Sequence, residues 1–212
     1  MLFYDCQPAP SPRRVRIFIA EKGLDIPVQE IDLGSGEHMT PEFRAKNPDC
    51  TVPALELDDG SVLSETIAIC AYLEDTFPEP PLIGSDARSR AEVLMWNARI
   101  EQQGLAAVAE SFRNHAKGFT GRAVTGPENY DQIPALVPRG RARAEQFMRM
   151  MNARLEGREF VAGAQFSMAD ITALITVDMC AWIKLPIPES LANLRRWHTA
   201  VSTRPSVTGR TG

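Results

Sequence analysis

The chain has 212 residues, of which 44% are hydrophobic, and this composition supports one large folded domain or two small ones. It excludes a disordered chain, and the lack of repeated or low-complexity segments excludes a solenoid. The formal net charge is −4, so long-range electrostatics do not favour nucleic acid or an anionic membrane as a partner. A small-molecule partner is expected instead.

The first residues and the cysteines predict a cytoplasmic protein. Met1 to Asp5 lack the basic and apolar regions of a signal peptide, and the longest apolar stretch, Ile171 to Ile183, is too short to cross a bilayer. That stretch is predicted to be a buried helix. The cysteines are widely spaced and form no Cys-x-x-Cys pair, which argues against a disulfide framework and a zinc ribbon: Cys6, Cys50, Cys70 and Cys180.

The first 78 residues alternate between strand-like and helix-like segments. Short apolar segments, a period-two pattern and an Asp59-Gly60 turn signal predict four strands, over residues 2–5, 28–33, 54–57 and 61–63. Apolar residues at helical spacing predict helices over residues 12–22, 41–46 and 65–77. In the first helix, Ser11 is predicted to be the N-cap residue and Pro12 the first helical residue. This order predicts a mixed α and β domain over residues 1–78.

Prolines 78, 80 and 81 indicate a linker, which we place at residues 79–86. From residue 87 to residue 212 the apolar periodicity is helical throughout. Ser167 to Asp170 has the pattern of a capping box, and a last helix is expected over 191–201, ending near Pro205. The second domain, residues 87–212, is therefore predicted to be all α.

Five sequence patches, in this order and spacing, form a specific pattern: Ser11 to Arg16, Gly36 to Pro48, Thr51 to Leu55, Ser64 to Leu73 and Ser167 to Asp170. Together they resemble the cytosolic glutathione S-transferases, in particular the bacterial serine-type members of the zeta, delta and theta-like classes. The resemblance covers nearly the whole chain. It implies an α+β fold with a thioredoxin-like N-terminal domain and a helical C-terminal domain. It also implies a homodimer that uses glutathione as co-substrate and holds no permanent cofactor.

The resemblance assigns the glutathione backbone and its γ-glutamyl end to two segments. The residue before Pro53, Val52, is expected to pair with the cysteinyl backbone of glutathione if Pro53 is cis. Glu65 and Thr66 lie where a strand becomes a helix, and the N–H groups of a helix N-terminus suit the γ-glutamyl carboxylate. Glu65 is expected to receive the ammonium group of the same residue.

Two further positions match residues that contact the glycyl end of glutathione in some classes. These are His38 and Cys50, which follows Asp49. A solvated surface role for His38 stays open, because a single histidine before a loop proline needs no ligand. Cys50 stands where histidine or lysine is common, and its thiol is only a weak hydrogen-bond donor.

The family activates the glutathione thiol with a hydroxyl or a cysteine near the start of the first helix, and Ser11 is the hydroxyl in that loop. The register departs from the family, because a zeta-like alignment puts Ala9 at the serine position and a delta-like alignment puts Pro10 there. Three alternatives stay open: Ser11 donates to the thiolate, Cys6 acts as a nucleophile, or backbone N–H groups stabilise the thiolate alone.

The predicted function is therefore transfer of glutathione to a small apolar electrophile. The alternatives are a glutathione-dependent thiol transferase or disulfide reductase, and a binding module that has kept only the fold. No metal is assigned, because His115 and His198 lack partners at metal-ligand spacing. The arginine-rich stretch from Arg139 to Arg158 is interpreted as a solvated helix face. Core packing is expected for most of the apolar residues considered as an electrophile site: Met148, Met150, Met151, Phe112 and Phe119.

Overall fold

The computed structural model describes residues 1–209, and the chain divides into two compact units. The first unit contains residues 1–80 together with residues 124–129. The second unit contains the rest of the described chain. The segment 124–129 therefore belongs by its contacts to the first unit, although its neighbours in sequence belong to the second.

The first unit is built on a four-stranded mixed sheet in the order β2-β1-β3-β4. Strand β1 pairs parallel with β2 and antiparallel with β3, and β3 pairs antiparallel with β4. A parallel pair needs a crossover connection, and the first helix supplies it between β1 and β2. All four predicted strands are present: β1 Leu2–Asp5, β2 Val28–Glu30, β3 Ala54–Glu56 and β4 Val62–Ser64. Strand β1 has the predicted bounds, β2 and β3 end earlier than predicted, and β4 is shifted by one residue.

Three α-helices complete the first unit: α1 Pro10–Glu21, α2 Pro41–Lys46 and α3 Thr66–Thr76. The apolar faces of α1 and α3 are buried with the sheet, and Phe3, Phe18, Leu55 and Leu73 are inaccessible to solvent. Thr40 caps α2 by accepting a hydrogen bond from the Phe43 N–H at 3.3 Å. This is a thioredoxin-like domain, as predicted.

The predicted N-cap of α1 is wrong. The helix begins at Pro10, so Ala9 is the N-cap residue and Ser11 is the second helical residue. The backbone of Ala9 is extended, and its carbonyl accepts the first helical hydrogen bond from the Arg13 N–H at 3.2 Å. Proline is favoured at the first position of a helix, and either Pro10 or Pro12 could occupy it. In the structure it is Pro10.

The second unit is helical in its regular structure. Its helices are α4 Ala87–Ile100, α5 Ala106–Arg113, α6 Leu136–Arg154, α7 Met168–Met179, α8 Ala192–Ser202 and α9 Pro205–Thr208. A π-helical segment, Glu101–Leu105, joins α4 to α5. The last predicted helix is confirmed as α8, but Pro205 starts the short helix α9 instead of ending the helical structure. Among the described residues, none of the helices is both long and apolar enough to cross a membrane.

Helix α7 runs through the core of the second unit. The predicted capping box at its start is confirmed, because the Asp170 carboxylate accepts from the Ser167 N–H at 3.2 Å and from the Ser167 hydroxyl at 3.0 Å. Its α-helical part ends at Met179, before the predicted Ile183, and continues as a 3-10 turn over Cys180–Ile183. Trp182 in that turn is exposed.

Candidate functional site

The segment before β3 contains the expected cis bond between Val52 and Pro53. Asn47 organises the chain leading to it, since its buried amide donates to the Thr51 carbonyl at 2.9 Å and its own carbonyl accepts from the Cys50 N–H at 3.0 Å. The two hydrogen bonds of Asn47 therefore fix the turn that precedes Val52 and Pro53. A fixed backbone edge suits recognition of another backbone.

Glu65 lies between β4 and α3 in a conformation that is rare for a residue with a side chain. Its φ is +71° and its ψ is 124°, and it forms the N-cap position of α3. Backbone of this kind costs about 1–3 kcal/mol and occurs mostly where a function requires it. The Glu65 side chain is exposed, whereas Thr66, the first helical residue, is buried.

A buried arginine joins the start of α1 to the start of α3. Nη2 of Arg14 donates to the Ser11 hydroxyl oxygen at 3.3 Å and to the Thr66 hydroxyl oxygen at 3.2 Å. Only 4% of the Arg14 surface is exposed. The structure thus brings together the residue predicted to activate the thiol and one predicted to bind the γ-glutamyl end.

Arg14 is not among the site residues that the sequence predicts. A signal was present, because residues three apart on a helix share a face and Arg14 follows Ser11 by three. The contact with Thr66 spans 52 positions of the chain and has no local signal.

The start of α1 offers one backbone donor. Proline has no backbone N–H group, so Ser11 is the one residue with such a donor among the first three of the helix, Pro10, Ser11 and Pro12. The next N–H, that of Arg13, is bonded to the Ala9 carbonyl. Any stabilisation of an anion by backbone at this helix end therefore also comes from Ser11, through its N–H and the positive end of the helix dipole.

The loop between β1 and α1 is fixed by a second buried charge. The Asp5 carboxylate accepts from the Cys6 N–H at 2.7 Å and pairs with the Arg16 guanidinium. Arg16 also donates to the Gln7 carbonyl at 2.8 Å. Burial raises the pKa of Asp5 even though Arg16 acts in the opposite direction. Hydrogen bonds from Asp5 and Arg16 therefore fix the backbone of the loop that precedes Ser11.

Cys6 is poorly suited to act as a nucleophile. It is 4% exposed, and burial is the main cause that raises the pKa of its thiol. The thiolate is the reactive form of cysteine, and reactive cysteines have a lowered pKa and access to solvent. Cys6 has the character of a buried structural cysteine.

His38 and Cys50 lie in separate segments. His38 is half-buried in a 3-10 turn over Glu37–Met39. Cys50 is buried with a φ of +53°, and its thiol contacts the Pro48 carbonyl at 3.5 Å within its own turn. Their roles at the glycyl end of glutathione stay predictions.

Tyr4 provides another hydroxyl on β1, and the structure gives it a different role. Its hydroxyl donates to the Glu56 carboxylate, which also pairs with Lys46 at 2.9 Å. Burial and the hydrogen bond to Glu56 raise the pKa of Tyr4. This hydroxyl is engaged within the sheet and is not a candidate for activating a thiol.

In the second unit, Phe112, Phe119 and Trp182 form a partly exposed aromatic cluster. The ring centroids of Phe112 lie 5.3 Å from Phe119 and 5.0 Å from Trp182, and Trp182 is 43% exposed. Met148 and Met151 are buried, which confirms core packing for these two. Phe112 and Phe119 instead contribute to an apolar surface.

The prediction of a solvated arginine face is confirmed for the exposed members of the stretch, and most of its members on α6 also form ion pairs or hydrogen bonds within the second unit. Arg139 forms a bidentate pair with Glu110, at 3.1 and 2.7 Å, and Arg154 pairs with Glu92 at 2.6 Å. Arg141 and Arg143 donate to backbone carbonyls of neighbouring segments. Arginine is long enough to reach such acceptors from a helix edge, which composition alone does not reveal.

His198 has an acidic neighbour that its sequence spacing did not indicate. Its Nε2 lies 2.8 Å from Oδ1 of Asp178. Within residues 1–209, no group of three histidine, cysteine, aspartate or glutamate side chains is arranged to hold a metal ion.

Two family models match the chain: the N-terminal domain of glutathione S-transferases over residues 9–76 and the C-terminal domain over residues 124–205. The protein named glutathione S-transferase 2 of Saccharomyces cerevisiae is 39% identical over 210 residues, which is 98% of this chain and 88% of that one. A glutathione S-transferase domain-containing protein of Marinobacter aquaeolei VT8 has a solved structure with a TM-score of 0.90 and 37% identity, covering 98% of this chain and all of that one. The protein named disulfide-bond oxidoreductase YfcG of Escherichia coli is 27% identical, over 94% of this chain and 89% of that one. The chain belongs to the glutathione S-transferase family.

Proposed function

We propose that the protein transfers glutathione to a small apolar electrophile. The observation that carries the proposal is the shared contact of Ser11 and Thr66 with one nitrogen of Arg14. Because of this shared contact, we expect one tripeptide to reach both the Ser11 hydroxyl, which can donate to a thiolate, and the N-terminus of α3, which can bind a carboxylate. The similarity to proteins named glutathione S-transferases supports the same assignment.

Glutathione binding is assigned to the first unit. We propose that Thr66 and the N-terminus of α3 bind the γ-glutamyl carboxylate, that Glu65 binds the ammonium, and that the backbone of Val52 before Pro53 pairs with the cysteinyl residue. The exposure of Glu65 and the fixed turn before Val52 support these roles. His38 and Cys50 remain the proposed contacts of the glycyl end.

The chemical step needs a thiolate. A free thiol has a pKa of about 8.5 and is only a few per cent ionised near neutral pH. The bound thiol gives its proton to solvent, and the Ser11 hydroxyl and N–H donate to the sulfur anion. The sulfur lone pair then forms a bond to the electrophilic carbon, while a leaving group departs with its bonding pair or a conjugated π bond accepts the pair.

Residues 87–212 are proposed to contribute the contacts with the electrophile, and residues 1–78 those with glutathione, separated by the linker 79–86. Phe112, Phe119 and Trp182 are the candidates for the apolar contacts, because aromatic rings that are partly exposed bind apolar ligands well. A cytoplasmic location is also proposed, since the four cysteines are free thiols.

We further propose a homodimer. Helix α4 exposes two neighbouring large apolar side chains, Leu94 at 38% and Met95 at 42%. Exposed apolar patches mark protein–protein interaction sites, and we propose that these two side chains contribute to one. A homodimer is also what the family resemblance implies.

Reduction of disulfides is the second candidate function. The similarity to a protein named as a disulfide-bond oxidoreductase favours it. The burial of Cys6 and its raised pKa oppose a mechanism through this residue, so bound glutathione would have to supply the attacking thiol. A module that has kept only the fold and binds no glutathione is less well supported, because it does not require the strained Glu65 backbone.

Two assays on the same preparation distinguish these functions. We expect turnover of a chromogenic aryl halide with glutathione, and much slower reduction of a mixed disulfide of glutathione. Cys6→Ala should keep the conjugating activity. Disulfide reduction without conjugation, abolished by Cys6→Ala, would contradict the proposal.

A further inference from the structure

We propose that Arg14 is a positioning residue that orients the Ser11 and Thr66 hydroxyls as donors and so couples thiol activation to binding of the γ-glutamyl end. This inference rests on the proposed function and assigns a specific role within it. It starts from two observations: Arg14 is buried, and its Nη2 contacts the hydroxyl oxygens of Ser11 and Thr66 at 3.3 and 3.2 Å.

The direction of these hydrogen bonds follows from the chemistry of the partners. A guanidinium is always charged and only donates, whereas a hydroxyl both donates and accepts. Each hydroxyl oxygen must therefore accept from Arg14 through a lone pair. Its own hydrogen has to point away from the guanidinium. Ser11 and Thr66 are thereby left as donors, which is the form that a thiolate and a carboxylate require.

A cationic partner also makes each hydroxyl a stronger donor. At 3.3 and 3.2 Å the two hydrogen bonds lie at the long end of the usual range, but the donor carries a full charge and chains of hydrogen bonds polarise one another. The effect is largest where water is excluded, and Arg14 and Thr66 are both buried. The donor strength of Ser11 toward sulfur is thus expected to depend on a residue that does not touch glutathione.

Lysine is not an adequate substitute at this position. Nη2 belongs to a planar, rigid fork, and its two hydrogens have fixed directions, one for each hydroxyl. The flexible ammonium of a lysine keeps the charge but has no fixed geometry toward two acceptors on different helices. Arg14→Lys should therefore retain only part of the effect of Arg14 on the thiol pKa and on glutathione affinity.

The test measures two quantities, the thiolate absorbance of bound glutathione against pH and the dissociation constant of glutathione by calorimetry. We expect Arg14→Met to raise the apparent thiol pKa toward that of free glutathione and to slow conjugation at neutral pH about tenfold. It should also weaken glutathione binding about as much as Thr66→Val does. Arg149→Met, which removes an exposed arginine of α6, is the matched control and should change neither quantity.

Double variants separate positioning from a general structural effect. In a Ser11→Ala background, Arg14→Met should no longer change the thiol pKa, and in a Thr66→Val background it should no longer change the affinity. If Arg14→Met does not fold, Arg14→Lys takes its place with the same expected direction and a smaller effect. Additive effects in both backgrounds, or an unchanged thiol pKa in the Arg14 variants, would overturn the inference.

The wild-type protein separates this inference from the proposed function. If it binds no glutathione, the proposed function fails and the inference fails with it. If it binds and conjugates glutathione while the Arg14 variants titrate like the wild type, only the inference fails.

Discussion

The indole N–H of Trp197 donates a 3.0 Å hydrogen bond to Oδ1 of Asp170, which joins α8 to the N-terminus of α7. The same carboxylate accepts from the Val161 N–H at 2.9 Å and from two donors of Ser167. Burial nevertheless outweighs these donors and raises the pKa of Asp170 to about 6. The second unit therefore contains a buried carboxyl that titrates just below neutral pH.

This carboxyl predicts how stability depends on pH. The pKa of Asp170 is about 6 in the folded protein and near 3.8 in the unfolded chain, so the folded state binds the proton more tightly. The favourable contribution is fully present below pH 3.8 and is lost as pH rises through about 6. We expect a loss of about 3 kcal/mol in the free energy of unfolding from this group.

Urea unfolding of the wild type and Asp170→Asn measures the effect. The tryptophans, Trp96, Trp182 and Trp197, all lie in the second unit, so their fluorescence reports its unfolding. The advantage of the wild type over the variant should shrink between about pH 4 and pH 7. A difference that stays constant with pH would show that Asp170 does not titrate in this range.

Gly104→Ala should destabilise the second unit by about 1–3 kcal/mol. A Cβ at this position would lie 2.7 Å from the Phe147 ring and 2.8 Å from Cγ2 of Thr176, so one of these side chains must shift. The clash should outweigh the better helix propensity of alanine. Gly118→Ala is the matched control, because nothing lies within 4 Å of its added Cβ. Equal unfolding midpoints for the two variants would contradict the packing around the π-helical segment.

Glu65→Ala should weaken glutathione binding and leave the fold intact. The variant leaves the ligand ammonium without its partner, which should cost about 1.5–3 kcal/mol. Glu65→Gln keeps the shape of the side chain and removes its charge, and its affinity for glutathione should lie between those of the wild type and Glu65→Ala. Isothermal titration calorimetry measures the affinities, and unchanged binding by Glu65→Ala would remove this residue from the site.

Light scattering at micromolar concentration tests the proposed homodimer. We expect twice the chain mass of 23.4 kDa for the wild type. Replacing both Leu94 and Met95 by lysine puts like charges into the proposed interface and should give the monomer. A wild-type protein that is monomeric at this concentration would contradict the proposal.

Local patterns in the sequence predicted most of the fold. The strands, the Asp59-Gly60 hairpin and the capping box at Ser167 each depend on residues close together in the chain, and each is confirmed. The error at Ser11 is also local, because two prolines compete for the first position of α1. Where one residue type satisfies a rule at two neighbouring positions, sequence alone cannot choose between them.

Long-range relationships were not predicted. Arg14 and Thr66 are 52 positions apart, and the segment 124–129 joins the first unit from between two helical regions. Neither the Arg14–Thr66 contact nor the placement of residues 124–129 produces a periodic or compositional pattern in the sequence. The strained φ of Glu65 was also missed, because backbone strain at a residue with a side chain runs against local preference.

We propose that Ser11 activates the thiol of bound glutathione. The decisive measurement is the ultraviolet absorbance of the bound thiolate, titrated against pH in the wild type, Ser11→Ala and Cys6→Ala. We expect a lowered thiol pKa in the wild type and in Cys6→Ala. In Ser11→Ala we expect a pKa nearer that of free glutathione, with conjugation at neutral pH roughly ten to a hundredfold slower. A wild-type titration curve in Ser11→Ala, with activity lost in Cys6→Ala, would show that Ser11 does not activate the thiol and would favour a thiol transferase.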